Sequence, residues 1–133
     1  NKESGVKGIS GISSDMRDID AAIAKGDERA ILAEDMYIYS ITKYIGSYAA
    51  ALGGVDIIAF TGGVGENQCD IRRKICESFK FIGLELDVEH NATTRGEETI
   101  ISTADSKVKA VVIPTDEEFV IAKDTEEIVS SLA

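Results

Sequence analysis

The chain has 133 residues, enough for one ordinary domain with a buried core, and its 44% apolar and 29% charged content is typical of a globular protein. A formal charge of −10 repels phosphodiester backbones and acidic membranes, so neither nucleic acid nor a membrane is expected as a partner. No apolar run approaches the roughly 20 residues of a membrane span, and the polar start NKESGVKGIS lacks the apolar region of a signal peptide.

The first part of the chain predicts two helices. A helix over residues 14–25 begins at Ser14, which is a candidate N-cap. Asp27 caps a second, longer helix, in which apolar residues keep a helical spacing. The glycine pair at 53–54 ends this second helix.

A strand is predicted over residues 55–61. Its apolar run IIAF is typical of a strand covered on both faces, as in a parallel sheet between layers of helices. The glycine-rich turn GGVG follows directly. A third helix comes after the turn, marked by Ile71, Ile75 and Phe79 at a spacing of four.

The remainder of the chain predicts short strands, an irregular polar segment and a final helix. The strands cover 81–86, 99–102 and 108–113, and the irregular segment covers 87–98. Pro114 ends the last strand, and Thr115 and Glu118 form a capping-box pair at the start of the final helix. The alternation of strands and helices predicts a layered α/β domain.

The cysteines, the histidine and the basic triplet point to ordinary structural roles. Cys69 and Cys76 lie roughly 10 Å apart along one helix, too far for a disulfide, so both are expected to be reduced packing residues of a cytoplasmic protein. His90 is the only histidine, which leaves too few ligands for a zinc site, and its polar surroundings predict an exposed side chain. The triplet Arg72–Lys74 is expected on a solvated helix face.

The glycine turn matches neither familiar phosphate-binding motif. No Gly-Lys-Ser/Thr sequence exists for a Walker A loop, and Gln68 stands where the dinucleotide motif that would begin at Gly63 requires its third glycine. What remains is a strand, a turn able to adopt positive φ, and a helix start with free N–H groups. Two interpretations stay open: a tight strand-to-helix turn, or a surface at Gly62 and Gly63 on which a ligand rests because no Cβ blocks it.

Three motifs in order carry a resemblance to a known family. The segments GISGISSDMRDID, FTGGVGENQCDIRRKIC and VVIPTDEEFVIAKDT resemble the C-terminal part of acetate kinases, and the similarity covers essentially the whole chain. The resemblance implies that residues 1–133 form the C-terminal nucleotide-binding domain without the N-terminal domain. It also implies a partial domain of the ribonuclease H-like fold shared by actin and the acetate and sugar kinases, a layered sheet with helices on both faces.

The resemblance also implies a reaction and a nucleotide site. Acetate kinases transfer the γ-phosphoryl group of ATP to acetate, or that of acetyl phosphate to ADP, with Mg²⁺. By resemblance Asp15, Met16 and Arg17 contact the nucleotide, where their side chains offer an acceptor, an apolar contact for the base and a donor to ribose or phosphate. A second segment would let the adenosine lie on bare backbone, with polar contacts from its last two residues: Gly63, Val64, Gly65, Glu66 and Asn67.

Glu117 matches the magnesium-associated glutamate of the family. Mg²⁺ keeps most of its waters and takes few protein carboxylates, so one glutamate with phosphate oxygens is sufficient. The alternative is that acidic residues in this first helical turn complement the helix dipole, which is the role expected of Asp116 and Glu118.

Some questions stay open at this level. Full-length relatives supply the acetate pocket, a catalytic Asp and Arg and His residues from elsewhere, so no catalytic residue is assigned here and the chain alone is expected to be inactive. Propionate kinase and a stand-alone binding or interaction module are the alternatives. Relatives form homodimers largely through their C-terminal domains; the Tyr-bearing long helix is a candidate surface, although a core-facing helix explains its apolar stripe equally well.

Overall fold

The computed structural model of the chain describes residues 4–132, except the side chain of Glu117. Seven helices and three strands lie in this part of the chain. The helices are α1 Gly5–Ser10, α2 Met16–Ile23, α3 Glu28–Leu52, α4 Gly62–Asn67, α5 Cys69–Glu77, α6 Val88–Thr93 and α7 Glu117–Ser131. The strands are β1 Ile57–Phe60, β2 Thr99–Ile100 and β3 Lys109–Val112. None of the helices described is both long and apolar enough to cross a bilayer.

The strands form one mixed sheet in the order β1-β3-β2. β1 and β3 are parallel, with Ile57 opposite Lys109 and Phe60 opposite Val112, while β2 runs antiparallel to β3. The predicted strand over 108–113 is therefore the central strand. Its buried side chains alternate with half-buried ones, so one face of the sheet meets the core.

The expectation that β1 is covered on both faces is wrong for the described residues. Ile58 and Phe60 are each 7% exposed and face the core, whereas Ile57 is 59% exposed and Ala59 is also exposed. β1 lies at the edge of the three-stranded sheet, where the helices described cover only its inner face.

The core lies between the inner face of the sheet and helices α3 and α5. α3 packs against α1, α2 and α5, which brings the two halves of the chain together. Lys74 of α5 pairs with Glu34 of α3, whose side chain is buried. The buried apolar residues include Ile19, Ala30, Ile58, Phe60, Ile71, Ile75, Phe79, Leu84, Ala110 and Val112.

Two predicted helix starts are off by one residue. Asp15, not Ser14, is the N-cap of α2, because its carboxylate accepts from the backbone N–H of Arg17. Asp116, not Thr115, caps α7 by accepting from the N–H of Phe119, since the hydroxyl of Thr115 is bonded elsewhere. The predicted cap of α3 is confirmed: Asp27 accepts from the N–H of Ala30 at 2.9 Å.

The predicted strand over 81–86 is wrong. A 3₁₀ turn covers Lys80–Ile82, and Gly83 follows in the left-handed region with φ +87°. The carbonyl of Gly83 accepts from the N–H groups of Lys107 and Val108. Only Leu86 forms an isolated bridge, so the sharp turn at Gly83 prevents a continuous strand here.

The polar segment 87–98 is not irregular throughout. Asp87 accepts from the N–H of His90 and caps the short helix α6, which ends at Thr93. His90 is half-buried rather than exposed, with Nε2 2.9 Å from the hydroxyl of Thr99. The polar sequence of this segment contributes caps and side-chain hydrogen bonds, which is why it lacks an apolar stripe.

Candidate functional site

A cleft of about 580 Å³ brings together the two segments predicted to contact a nucleotide. One wall is the start of α2, and the other is α4 with the residue that follows it. Gln68 Nε2 donates to Asp20 Oδ2 at 2.8 Å across 48 positions of sequence and holds the two walls together. The lining residues are Ser14, Asp15, Met16, Arg17, Gly63, Val64, Asn67 and Gln68.

The three glycines of the turn have three different structural roles. Gly62 adopts the left-handed region with φ +69°, which lets the chain turn from β1 into α4. A Cβ built on Gly63 would meet no atom within 4 Å, so the backbone beside the cleft is open. A Cβ on Gly65 would lie 3.0 Å from the carbonyl carbon of Phe60. Gly65 therefore permits close packing of α4 on β1 and is absent from the cleft lining, and the nucleotide contact predicted for it stays a prediction.

Asp15 and Arg17 are bonded to each other at the mouth of the cleft. Arg17 Nη2 lies 2.6 Å from Asp15 Oδ2, and Arg17 Nε donates to Oδ1 at 3.0 Å. These hydrogen bonds from Arg17 lower the pKa of the Asp15 carboxyl to about 2. The side chain of Arg17 is 85% exposed, so its guanidinium reaches solvent in front of the cleft.

Met16 is part of the core rather than a side chain projecting into the cleft. It is 7% exposed and packs in the same cluster as Ile19, three residues along α2. Because Asp15 is the N-cap, Met16 is the first helical residue and faces inward with Ile19. Met16 therefore contributes an apolar floor to the cleft.

The last two residues of α4 point in different directions. Asn67 is exposed at the cleft, and its Nδ2 donates to the carbonyl of Gly63 at 3.1 Å. The Glu66 carboxylate is absent from the lining and instead accepts from the backbone N–H and the hydroxyl of Thr115, at 2.9 and 3.0 Å. The Thr115 N–H is the main cause that lowers the pKa of Glu66, with further contributions from the Thr115 hydroxyl and the Gly62 N–H.

The solvated helix face predicted for Arg72–Lys74 is wrong at Arg72. Its side chain is fully buried, and it donates to five oxygens that carry no formal charge. Two of them, the carbonyls of Gly65 and Glu66, belong to α4. Burial lowers the pKa of Arg72, but a guanidinium remains charged. The sequence signal for the burial of Arg72 was its spacing of four from Cys76, which places both side chains on the same face of α5.

Two residues of the cleft were not predicted as contacts. Ser14 was assigned a capping role, and Gln68 was noted only as a departure from the dinucleotide motif. Both directly flank predicted contacts, Asp15 and Asn67, so adjacency along the chain was the only signal for them.

The predicted magnesium residue begins α7. The side chain of Glu117 lies outside the described part of the structure, so its contacts are not assigned. Among the described residues, no three His, Cys, Asp or Glu side chains come together closely enough to hold a metal ion.

The sheet, its flanking helices and the cleft define a mixed α/β protein with a candidate ligand site at a strand-to-helix turn. The sequence profile of the acetokinase family matches residues 1–123. The chain belongs to that family.

Individual relatives agree with this assignment. The acetate kinase of Bacteroides thetaiotaomicron is 69% identical over 96% of this chain and 32% of its own length. The crystal structure of Porphyromonas gingivalis acetate kinase aligns over 96% of this chain and 32% of its own, with a TM-score of 0.88 and 54% identity. A propionate kinase from Francisella tularensis aligns over 90% of this chain and 30% of its own, with a TM-score of 0.79 and 36% identity. The chain thus spans about a third of the length of these relatives.

Proposed function

We propose that this chain supplies the nucleotide-binding side of a kinase that transfers a phosphoryl group between ATP and acetate. The observation that carries the proposal is the cleft, in which the start of α2 faces the open backbone of Gly63. Family membership supports the choice of reaction, and the relatives named acetate kinase support the choice of acceptor.

Each wall of the cleft has a separate task in this proposal. The adenosine lies against the backbone at Gly62 and Gly63, where no Cβ intervenes, above the apolar floor that Met16 provides. Asn67 offers its amide to polar edges of the ligand. Arg17 supplies an exposed positive charge for ribose or phosphate oxygens, and Asp15 orients that charge through their ion pair.

Magnesium is assigned to Glu117 in this proposal. The hydrogen bonds of Thr115 to Glu66 hold the start of α7 beside α4, which supports a carboxylate at position 117 close to the glycine turn. One carboxylate fits the limited protein coordination that Mg²⁺ requires. When bound, the ion would neutralise charge on the phosphoryl groups during transfer.

The wider features expected of the family belong to the same proposal. We propose that the chain has the ribonuclease H-like fold, that it is part of a cytoplasmic enzyme, and that this enzyme is a homodimer. Propionate is a second candidate acceptor because one structural neighbour is a propionate kinase. All of these stay predictions.

A titration with Mg-ATP tests the cleft. Gly63→Val places a branched side chain where the adenosine is expected, and Gly46→Val in α3 is a matched control because its Cβ also meets no atom within 4 Å. Gly63→Val should weaken binding by about tenfold or more, equivalent to about 1.4 kcal/mol, and Gly46→Val should not. Equal affinities for wild type and Gly63→Val would remove this turn from the site.

A further inference from the structure

Glu66 joins two segments that are far apart in the sequence. Its Oε1 accepts both from the backbone N–H of Thr115 and from the Thr115 hydroxyl, across 49 positions. A single half-buried side chain at the end of α4 therefore contacts the residue that lies just before the N-cap of α7.

Thr115 holds the start of α7 against the end of α4 through its hydrogen bonds to Glu66. The backbone stays bonded to the sheet as far as Ile113, whose N–H donates to the carbonyl of Phe60. Every side chain described from 118 to 132 is exposed, including Phe119 at 64% and Ile128 at 61%. Because α7 has so little buried surface, the two hydrogen bonds to Glu66 are a main constraint on where its first turn lies.

We propose that Glu66 is a positioning residue that fixes the start of α7, which contains Glu117, relative to α4, the wall of the proposed nucleotide cleft that carries Gly63. This inference rests on the proposed function for its effect on nucleotide binding. It replaces the direct nucleotide contact that the sequence predicted for Glu66. The side chain acts through Thr115, and Thr115 lies two positions before the predicted magnesium carboxylate.

The positioning role and a direct contact make different predictions for Thr115. If Glu66 touched the nucleotide itself, loss of the Thr115 hydroxyl would leave binding nearly unchanged. If Glu66 acts through Thr115, either substitution disturbs the same contact, and the double variant is no worse than the more damaging single variant. Such non-additivity is the signature of two residues in one interaction.

The experiment uses the complete chain with Glu66→Gln, Thr115→Val and both together. Glu66→Gln keeps the shape of the side chain but replaces the charged acceptor Oε1 with a neutral one, which weakens both hydrogen bonds from Thr115. Thr115→Val removes only the hydroxyl. Thr125→Val is the matched control, because the Thr125 hydroxyl bonds only within α7, to the carbonyl of Ile121.

The first measurement is amide hydrogen exchange without nucleotide. We expect Glu66→Gln to speed amide exchange at residues 115–121 by about tenfold, and Thr115→Val to speed it by a smaller factor. Thr125→Val should leave the exchange rates at the start of α7 as they are in wild type. Unchanged exchange in Glu66→Gln would overturn the positioning role. This outcome does not depend on nucleotide binding, so it is separate from any failure of the proposed function.

The second measurement compares affinity for Mg-ADP with affinity for ADP in EDTA. Both single variants should weaken Mg-ADP binding by about threefold to tenfold and leave metal-free ADP binding nearly unchanged, because the cleft itself is intact. The double variant should bind Mg-ADP with the same affinity as whichever single variant binds it less tightly. Wild-type affinity for Mg-ADP in Thr115→Val, together with a loss in Glu66→Gln, would overturn the inference in favour of a direct contact.

Discussion

Substitution of the buried Arg72 by methionine is expected to destabilise the chain strongly. Methionine has a similar length and is apolar, so it fills much of the space and removes every donor. Three acceptors lie in buried surroundings: the side-chain and backbone oxygens of Asn91, at 2.8 and 3.1 Å, and the carbonyl of Thr94, at 2.9 Å. Two part-buried carbonyls of α4, at 2.9 and 2.8 Å, lose the same partner.

The magnitude follows from these acceptors. The Thr94 carbonyl keeps a hydrogen bond from Arg95 Nη1 at 2.7 Å, so the two oxygens of Asn91 are the buried acceptors left without a partner. Each such acceptor costs about 1–3 kcal/mol, which sets an upper range of about 2–6 kcal/mol. Burying a guanidinium without a carboxylate is itself costly, and the substitution removes that cost. We therefore expect a net loss of about 3 kcal/mol in the free energy of unfolding, a large part of the roughly 5–15 kcal/mol available to a domain.

Urea unfolding followed by circular dichroism measures this loss. The matched control is Arg73→Met on the same helix, where the guanidinium pairs at the surface with Glu77 at 3.0 Å and a loss below about 1 kcal/mol is expected. Arg72→Lys should fall between them, since an ammonium keeps the charge but has fewer donors. A value for Arg72→Met within about 1 kcal/mol of the control would refute the reasoning.

Three further predictions concern other parts of the molecule. Gly65→Ala should lower the thermal midpoint because its Cβ would lie 3.0 Å from the backbone of β1, whereas Gly63→Ala enters open space; equal midpoints would contradict this packing. Because the pKa of Asp15 is about 2 in the folded chain, against an ordinary 3.8, its charge stabilises the fold fully above pH 3.8 and less as the pH falls towards 2. Thermal melts should accordingly show a midpoint difference between wild type and Asp15→Asn that shrinks over that interval, and a constant difference would argue against the ion pair. Burial raises the pKa of Cys76 to about 12, so iodoacetamide at pH 8 should label only Cys69 in the folded chain, and mass spectrometry showing two equally fast adducts would contradict it.

Local sequence patterns were sufficient for the main elements. The long helix was predicted because its apolar spacing, the cap at Asp27 and the glycines after Leu52 act within a few residues of one another. The strands around Ile58 and Ala110 were predicted for the same reason. The prediction of a strand over residues 81–86 was wrong because an apolar run does not reveal that the chain turns sharply at Gly83, whose carbonyl accepts hydrogen bonds from residues 107 and 108.

For the candidate site, too, some features could be predicted from the sequence and others required the tertiary structure. The sequence, through its motifs, determined which two segments form the cleft and that bare backbone lies at Gly63. Only the tertiary structure decided that Glu66 is bonded to Thr115 and that Arg72 is buried beneath α4. The physical reason is that helix and strand patterns depend on near neighbours, whereas a polar side chain takes its role from partners that folding brings to it, here 6 to 49 positions away.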